Sequence, residues 1–79
     1  MPPFRNVSPR DAIAAFVRAG GAIRGGKGDH VNIKMPNGQL VTIVNSREPV
    51  KVSILIMTIK KAGLTKDDFA RLLKGENLA

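Results

Sequence analysis

His30–Val44 reads HVNIKMPNGQLVTIV, and its pattern decides the fold. From His30 to Met35 the side chains alternate: Val31, Ile33 and Met35 are apolar, while His30, Asn32 and Lys34 are polar. That is the two-residue period of a strand with one buried face. Pro36-Asn37-Gly38-Gln39 then reads as a tight hairpin, because Asn-Gly readily supplies the two positive φ angles of a type I′ turn. Leu40 to Val44 returns as the partner strand. A two-residue turn sets Met35 opposite Leu40 and Val31 opposite Val44, with all four on one apolar side. Upstream, Ala22-Ile23-Arg24 is a short strand, joined to His30 through the glycine-rich turn Gly25-Gly26-Lys27-Gly28. The expectation is a three-stranded antiparallel meander.

Helical periodicity flanks this sheet on both sides. Ser8 is a suitable N-cap, Pro9 occupies a position where a missing N–H costs nothing, and Asp11 completes a Ser-x-x-Asp capping box. Ala12, Ile13, Phe16 and Val17 form an apolar stripe that Gly20-Gly21 ends. After a polar connection from Asn45 to Lys51, a second helix runs from Ser53 to Ala62. Leu55, Ile59 and Ala62 share one stripe, and Lys60-Lys61 lie near its C-terminus, where cations suit the helix dipole. Gly63 closes it. Thr65 and Asp68 form another capping box, opening a short helix whose Phe69, Leu72 and Leu73 pack inward, and Lys74 to Ala79 is expected to fray. The predicted class is therefore α+β, in the order α-β-β-β-α plus a terminal helical turn, with the helices covering one face of the sheet. Double-stranded-RNA-binding domains share that element order.

Seventy-nine residues make one domain, with the core expected in about residues 8–73. A chain of this size buries only ~60–65% of its unfolded surface, so the core is modest. Large cofactor folds such as a doubly wound dinucleotide sheet or an eight-fold barrel do not fit. With no cysteine there is no disulfide framework, thiolate nucleophile or thiolate zinc site, and one histidine does not make a histidine-rich metal centre. Met1-Pro2-Pro3-Phe4-Arg5 lacks the apolar run of a signal peptide, and no apolar run approaches the length of a membrane span, which points to a soluble cytoplasmic protein.

Charge is the first functional clue. Thirteen Lys and Arg against six Asp and Glu give +7, with six basic and two acidic residues in positions 1–40 and seven and four in positions 41–79. The folded body itself is cationic, which favours a polyanionic partner, nucleic acid first; the plainer reading is a charge that serves solubility alone. Aromatic residues are scarce: Phe4, Phe16 and Phe69 are the only ones, and the last two lie on core stripes. There is no stacking platform on the strands, so binding is expected to be phosphate-dominated and salt-sensitive rather than base-reading.

His30 is the side chain best suited to proton transfer near neutrality. It follows the glycine turn and shares a strand face with Asn32 and Lys34, with Lys27 three residues upstream. An imidazole among cations suits phosphodiester cleavage, the imidazole moving a proton at the ribose 2′-OH or at the leaving oxygen and a lysine steadying the phosphate. If the 2′-OH is the nucleophile no metal is required. The competing reading is an ordinary surface histidine. Gly25-Gly26-Lys27-Gly28 fits the G-x-x-G of KH domains, but strands rather than helices flank it; as a flexible loop it could equally present N–H groups and Lys27 to a phosphate.

Lys27-Gly28-Asp29-His30, the alternating strand, the Asn-Gly hairpin, Val41-Thr42-Ile43 and Ile59-Lys60-Lys61-Ala62-Gly63-Leu64 leading to Phe69 together resemble the HicA toxin family, over about Pro9 to Leu73. The resemblance implies a double-stranded-RNA-binding-like fold and an mRNA interferase of a type II toxin–antitoxin module. It makes His30 the counterpart of the family's active-site histidine and implies a HicB antitoxin that covers the active face. Asp29 stands where the family has a hydroxyl residue, Val44-Asn45-Ser46 where many members have Pro-x-His, and Ser53-Ile54-Leu55 where Gly-Thr-Leu is common.

The expected function is thus a metal-independent toxin ribonuclease with His30 as general acid/base. Lys27, Gly28, Lys34, Arg24 and Asn32 are the expected RNA contacts, mRNA and a HicB-type antitoxin the partners, and no small-molecule cofactor is called for. The alternative is a non-catalytic module for double-stranded nucleic acid, or a retired toxin, in which charge does all the work.

Overall fold

The computed structural model describes Phe4 and residues 6–76; apart from Phe4, the opening stretch read for a targeting signal lies outside it, as do residues 77–79 of the expected frayed end. The order is α1 (Pro9–Arg18), β1 (Ala22–Gly25), β2 (His30–Lys34), β3 (Leu40–Val44), α2 (Val52–Lys61) and α3 (Lys66–Leu73). The fold is α+β. The strands form one antiparallel sheet in the order β1-β2-β3. No helix among the described residues is long and apolar enough to cross a membrane.

Local chemistry sets the helix ends. Ser8 Oγ accepts from Asp11 N–H at 3.1 Å, with Pro9 opening α1. At α3 both halves of the capping box are made: Asp68 N–H donates to Thr65 Oγ1 at 3.0 Å, and Thr65 N–H to Asp68 Oδ2 at 3.4 Å. Two orphan donors are satisfied at once, a device worth about 1 kcal/mol.

The central hairpin differs by one residue from the reading of its turn. Met35 N–H donates to Gln39 O at 2.8 Å and Gly38 N–H to Met35 O at 2.9 Å, while Lys34 pairs with Leu40 and His30 with Val44. Pro36, Asn37 and Gly38 therefore span the turn, and of these only Gly38 has a positive φ, at 88°. Pro36 is the cause. Its ring holds φ near −65°, which suits the first central position of a type I turn, and Gly38 then takes the left-handed position that follows. The shift turns β3 over: Val41 and Ile43 face the core, whereas Leu40 and Val44 are 42% and 48% exposed on the other side.

All three helices lie on the face carrying Ile33, Val41 and Ile43. Phe69 of α3 is fully buried, edge-on to Phe4 (centroids 5.7 Å, planes 79° apart) and tilted against Phe16 of α1 at 4.9 Å. Leu55 and Ile59 of α2, its C-cap Ala62 and Leu72 of α3 complete the centre, with Leu73 half-buried beside it, and the core takes in Phe4 and Val7 ahead of α1. Val17 is outside it, at 41% exposure: the buried stripe of α1 is Ala12, Ala15 and Phe16, and Val17 falls one residue past its edge. Arg18 ties α1 to α3 by donating to Leu72 O at 2.7 Å.

Asn37 fastens the hairpin to α2. Its Nδ2 donates to Lys61 O and its Oδ1 accepts from Gln39 N–H, both at 3.0 Å. Asn37→Ala is expected to cost about 1–2 kcal/mol, read as a lower urea midpoint at unchanged slope.

Candidate active site on the open face of the sheet

The helices leave the other face of the sheet uncovered. Alternation along β2 puts His30, Asn32 and Lys34 there, and the register sets them opposite Val44, Thr42 and Leu40 of β3. On the β1 side Lys34 faces Ala22 and Asn32 faces Gly25, with the ladder broken by a bulge between Ile23 and Gly25. Small residues on β1 leave the β2 side chains open from that side. Arg24 sits in the bulge and is exposed.

The backbone of His30 is held from several directions. Its N–H donates to Lys27 O at 3.0 Å, closing the loop on itself, and on the opposite side Asp29 O accepts from Asn45 N–H at 2.6 Å. Gly26 lies against the His30 carbonyl so closely that a Cβ there would stand 1.8 Å from His30 O. No side chain fits at Gly26, and the glycine run is thereby explained at this position by close approach rather than by flexibility. The loop presents Lys27 and Gly28, both exposed, directly ahead of an exposed His30.

Five of the six expected site residues thus belong to one loop-and-strand unit: Lys27 and Gly28 in the loop, His30, Asn32 and Lys34 on β2. Arg24 joins from β1. Lys34 is four residues beyond His30, about 13 Å along an extended strand, and suits a neighbouring phosphate rather than the one at His30. Asn32 is oriented by Thr42, whose hydroxyl donates to Asn32 Oδ1 at 2.7 Å. That bond engages the oxygen of Asn32 and leaves its NH₂ group as a donor. Among the described residues the one ion pair is Arg71–Glu76, at 3.3 Å, so neither Arg24, Lys27 nor Lys34 is neutralised by a carboxylate contact.

Three features were not visible in the sequence. Gly26 is obligate because of a tertiary contact. Thr42 becomes the partner of Asn32 only in the observed register. On the helix side of the His30 loop, Arg10, Ile13, Ile23, Val31 and Asn45 line an open groove of about 560 Å³. Ile23 is 57% exposed there even though it pairs with buried Ile33.

The arrangement offers one proton-transfer group, hydrogen-bond donors beside it and unneutralised cations around it. No protein-family model matches the chain, and no curated protein matches it significantly.

Proposed function

We propose that the protein is a toxin ribonuclease of the HicA type, an mRNA interferase with a double-stranded-RNA-binding-domain-like fold that works in the cytoplasm and is neutralised by a HicB-type antitoxin. The observation that carries this reading is the placing of His30. It stands on the open sheet face beside Asn32, at the end of a loop bearing Lys27 and Gly28, with its backbone pinned on both sides. The sequence resemblance supplies the family.

The chemistry follows from that placement. The ribose 2′-oxygen attacks the adjacent phosphorus, the bond to the 5′-oxygen breaks, and the products are a 2′,3′-cyclic phosphate and a free 5′-hydroxyl. One proton leaves the 2′-OH and one reaches the 5′-oxygen. His30 carries one of these transfers, and with no tyrosine or second histidine in the chain the other falls to water or to a lysine. Lys27 and the loop N–H groups steady the negative charge that builds on the phosphate oxygens. Because the nucleophile is part of the substrate, this route calls for no metal ion.

Expression in a bacterial host tests the reading: the wild type should arrest growth, His30→Ala should not, and the two purified proteins should bind RNA within about twofold of each other. Arrest by both proteins would remove His30 from the chemistry.

One observation favours the non-catalytic module instead. Among the described residues no hydrogen bond orients the His30 imidazole, whereas an acid/base group is commonly held by a partner. Both readings require phosphate-dominated binding. With Arg24, Lys27 and Lys34 each neutralising a phosphate, raising salt from 50 to 200 mM should weaken RNA binding by roughly 20- to 40-fold. A salt-independent affinity would contradict both.

A further inference from the structure

We infer that the outer edge of β3 is a docking slot for an extended, acidic segment of a partner protein, which adds to the sheet as a fourth strand. This rests on the partner half of the proposed function and deepens it by naming the surface and the mode of binding.

The hydrogen-bonding parity of β3 comes first. Met35 N–H bonds to Gln39 O, and Asn45 N–H bonds to Asp29 O, in the same register as the strand pairs between them. In an antiparallel ladder the bonded pairs alternate, so Val41 and Ile43 spend their N–H and C=O groups on β2. The backbone groups of Leu40, Thr42 and Val44 point the other way, to an edge where no strand pairs. Of these, the carbonyl of Val44 is taken by Ser46 N–H at 3.0 Å. The remaining donors and acceptors form a template for strand addition.

Apolar surface gathers at the same edge. Leu40 and Val44 on β3 and Ile54 and Met57 beside it are all large hydrophobic residues at 42% exposure or more. Ile54 lies between two hollows that both run along β3. One, of about 200 Å³, is bounded by Thr42, Val44, Pro49 and Ile54; the other, of about 300 Å³, by Thr42, Ile54, Met57 and Lys61. Sharing Thr42 and Ile54, they make one trough, floored by the exposed side of α2, where a fourth strand would lie. Natural edges are usually blunted by charge, proline or a bulge; β3 has the sequence LVTIV with none of these.

Charge selects the occupant. Lys51 and Lys61 line the trough, Arg47 and Lys60 adjoin it in sequence, and Glu48 is its one carboxylate. A second copy would bring another +7 body and another basic rim against this one. An extended segment that alternates apolar with acidic residues satisfies the edge, the apolar floor and the rim together. Its strand would sit about 10 Å from His30, two strand spacings away, where the rest of the partner can overhang the open face.

The probe is a capped ten-residue peptide of alternating valine and glutamate, titrated into the ¹⁵N-labelled protein and compared with the valine–lysine peptide of the same length. Saturable binding of the glutamate peptide alone is expected, with hydrogen-exchange protection at the amides of Leu40 and Thr42. Thr42→Pro removes an outward N–H and keeps the backbone ladder to β2, losing only the Thr42–Asn32 side-chain bond there, and Met57→Glu puts like charge on the trough floor. Each should fold, by the amide spectrum, and weaken binding by about tenfold or more. No binding, equal binding of the two peptides, or binding unchanged in both variants overturns the inference. Protection of Leu40 and Thr42 that grows with protein concentration without peptide assigns the edge to a second copy instead, and overturns it also. RNA cleavage is read separately: a protein that cleaves no RNA yet protects these amides keeps the slot and loses the ribonuclease reading.

Discussion

Phe69→Ala is expected to remove ~3–5 kcal/mol of stability, the largest loss of any single truncation in this core. Phe69 touches both other aromatic residues, joining Phe4 and Phe16 to α3, and is buried to 0% exposure. Truncating a phenylalanine of this kind costs ~3–5 kcal/mol, through lost transfer energy and the cavity left behind. A domain of this length holds about 4–12 kcal/mol in total, so most of the stability of a lower-range domain goes with one ring. Urea denaturation followed by far-UV circular dichroism reads the effect directly. A loss below about 1 kcal/mol would mean that the three helices do not converge on this side chain. Phe69→Leu, which keeps much of the volume, should recover a large part of the loss.

Gly26→Ala carries the second large effect, and it falls on the site rather than the core. The added Cβ would stand 1.8 Å from the His30 carbonyl oxygen, and that neighbour is backbone, which cannot swing aside. The loop must open, losing the bond from His30 N–H to Lys27 O. We expect a destabilisation of about 2–4 kcal/mol and loss of RNA cleavage. Gly28→Ala is the control, since a Cβ at Gly28 meets nothing within 4 Å. It bears only the strain of a φ of 57°, about 1 kcal/mol. If the two substitutions cost the same, close approach is not what Gly26 provides.

Much of this fold was legible from periodicity. The two-residue alternation that begins at His30 located β2 correctly, and with it the shared face of His30, Asn32 and Lys34. The capping residues Ser8 and Thr65 marked two helix starts to the residue. The hairpin register was not legible, because two turn signals overlap in Pro36-Asn37-Gly38. Asn-Gly favours a two-residue turn, while a proline before it presets the three-residue one, and the proline prevails. That single residue decides which side of β3 is buried, and hence that Thr42 rather than Ile43 stands opposite Asn32. It also decides that Leu40 and Val44 are exposed at the edge. Phe4 was unreadable for another reason: an isolated aromatic ahead of the first helix has no periodic neighbours to assign it to the core. Gly26 and the groove at Arg10 and Ile23 depend on chain segments meeting in space, which local pattern does not encode.

The proposed chemistry draws on the resemblance to the HicA family and on the geometry of the open face. In that proposal His30 is the proton-transfer group, the loop provides donors at the phosphate, and the basic body provides affinity. The departures in sequence bear on the same site. Asp29 adds a carboxylate next to His30, and its carbonyl, not its side chain, is engaged by Asn45. Ser46 stands where many members of that family carry a second histidine, so the proposed mechanism assigns the second proton to water or a lysine.

The decisive measurement is cleavage of an end-labelled mRNA by the purified protein in EDTA, beside His30→Ala and beside the same RNA with 2′-deoxy sugars at the cleaved positions. The proposed function requires cleavage by the wild type alone, ending in a 2′,3′-cyclic phosphate, and none where the 2′-OH is missing. Equal cleavage by His30→Ala, or no cleavage by a folded, RNA-binding wild type, would contradict it.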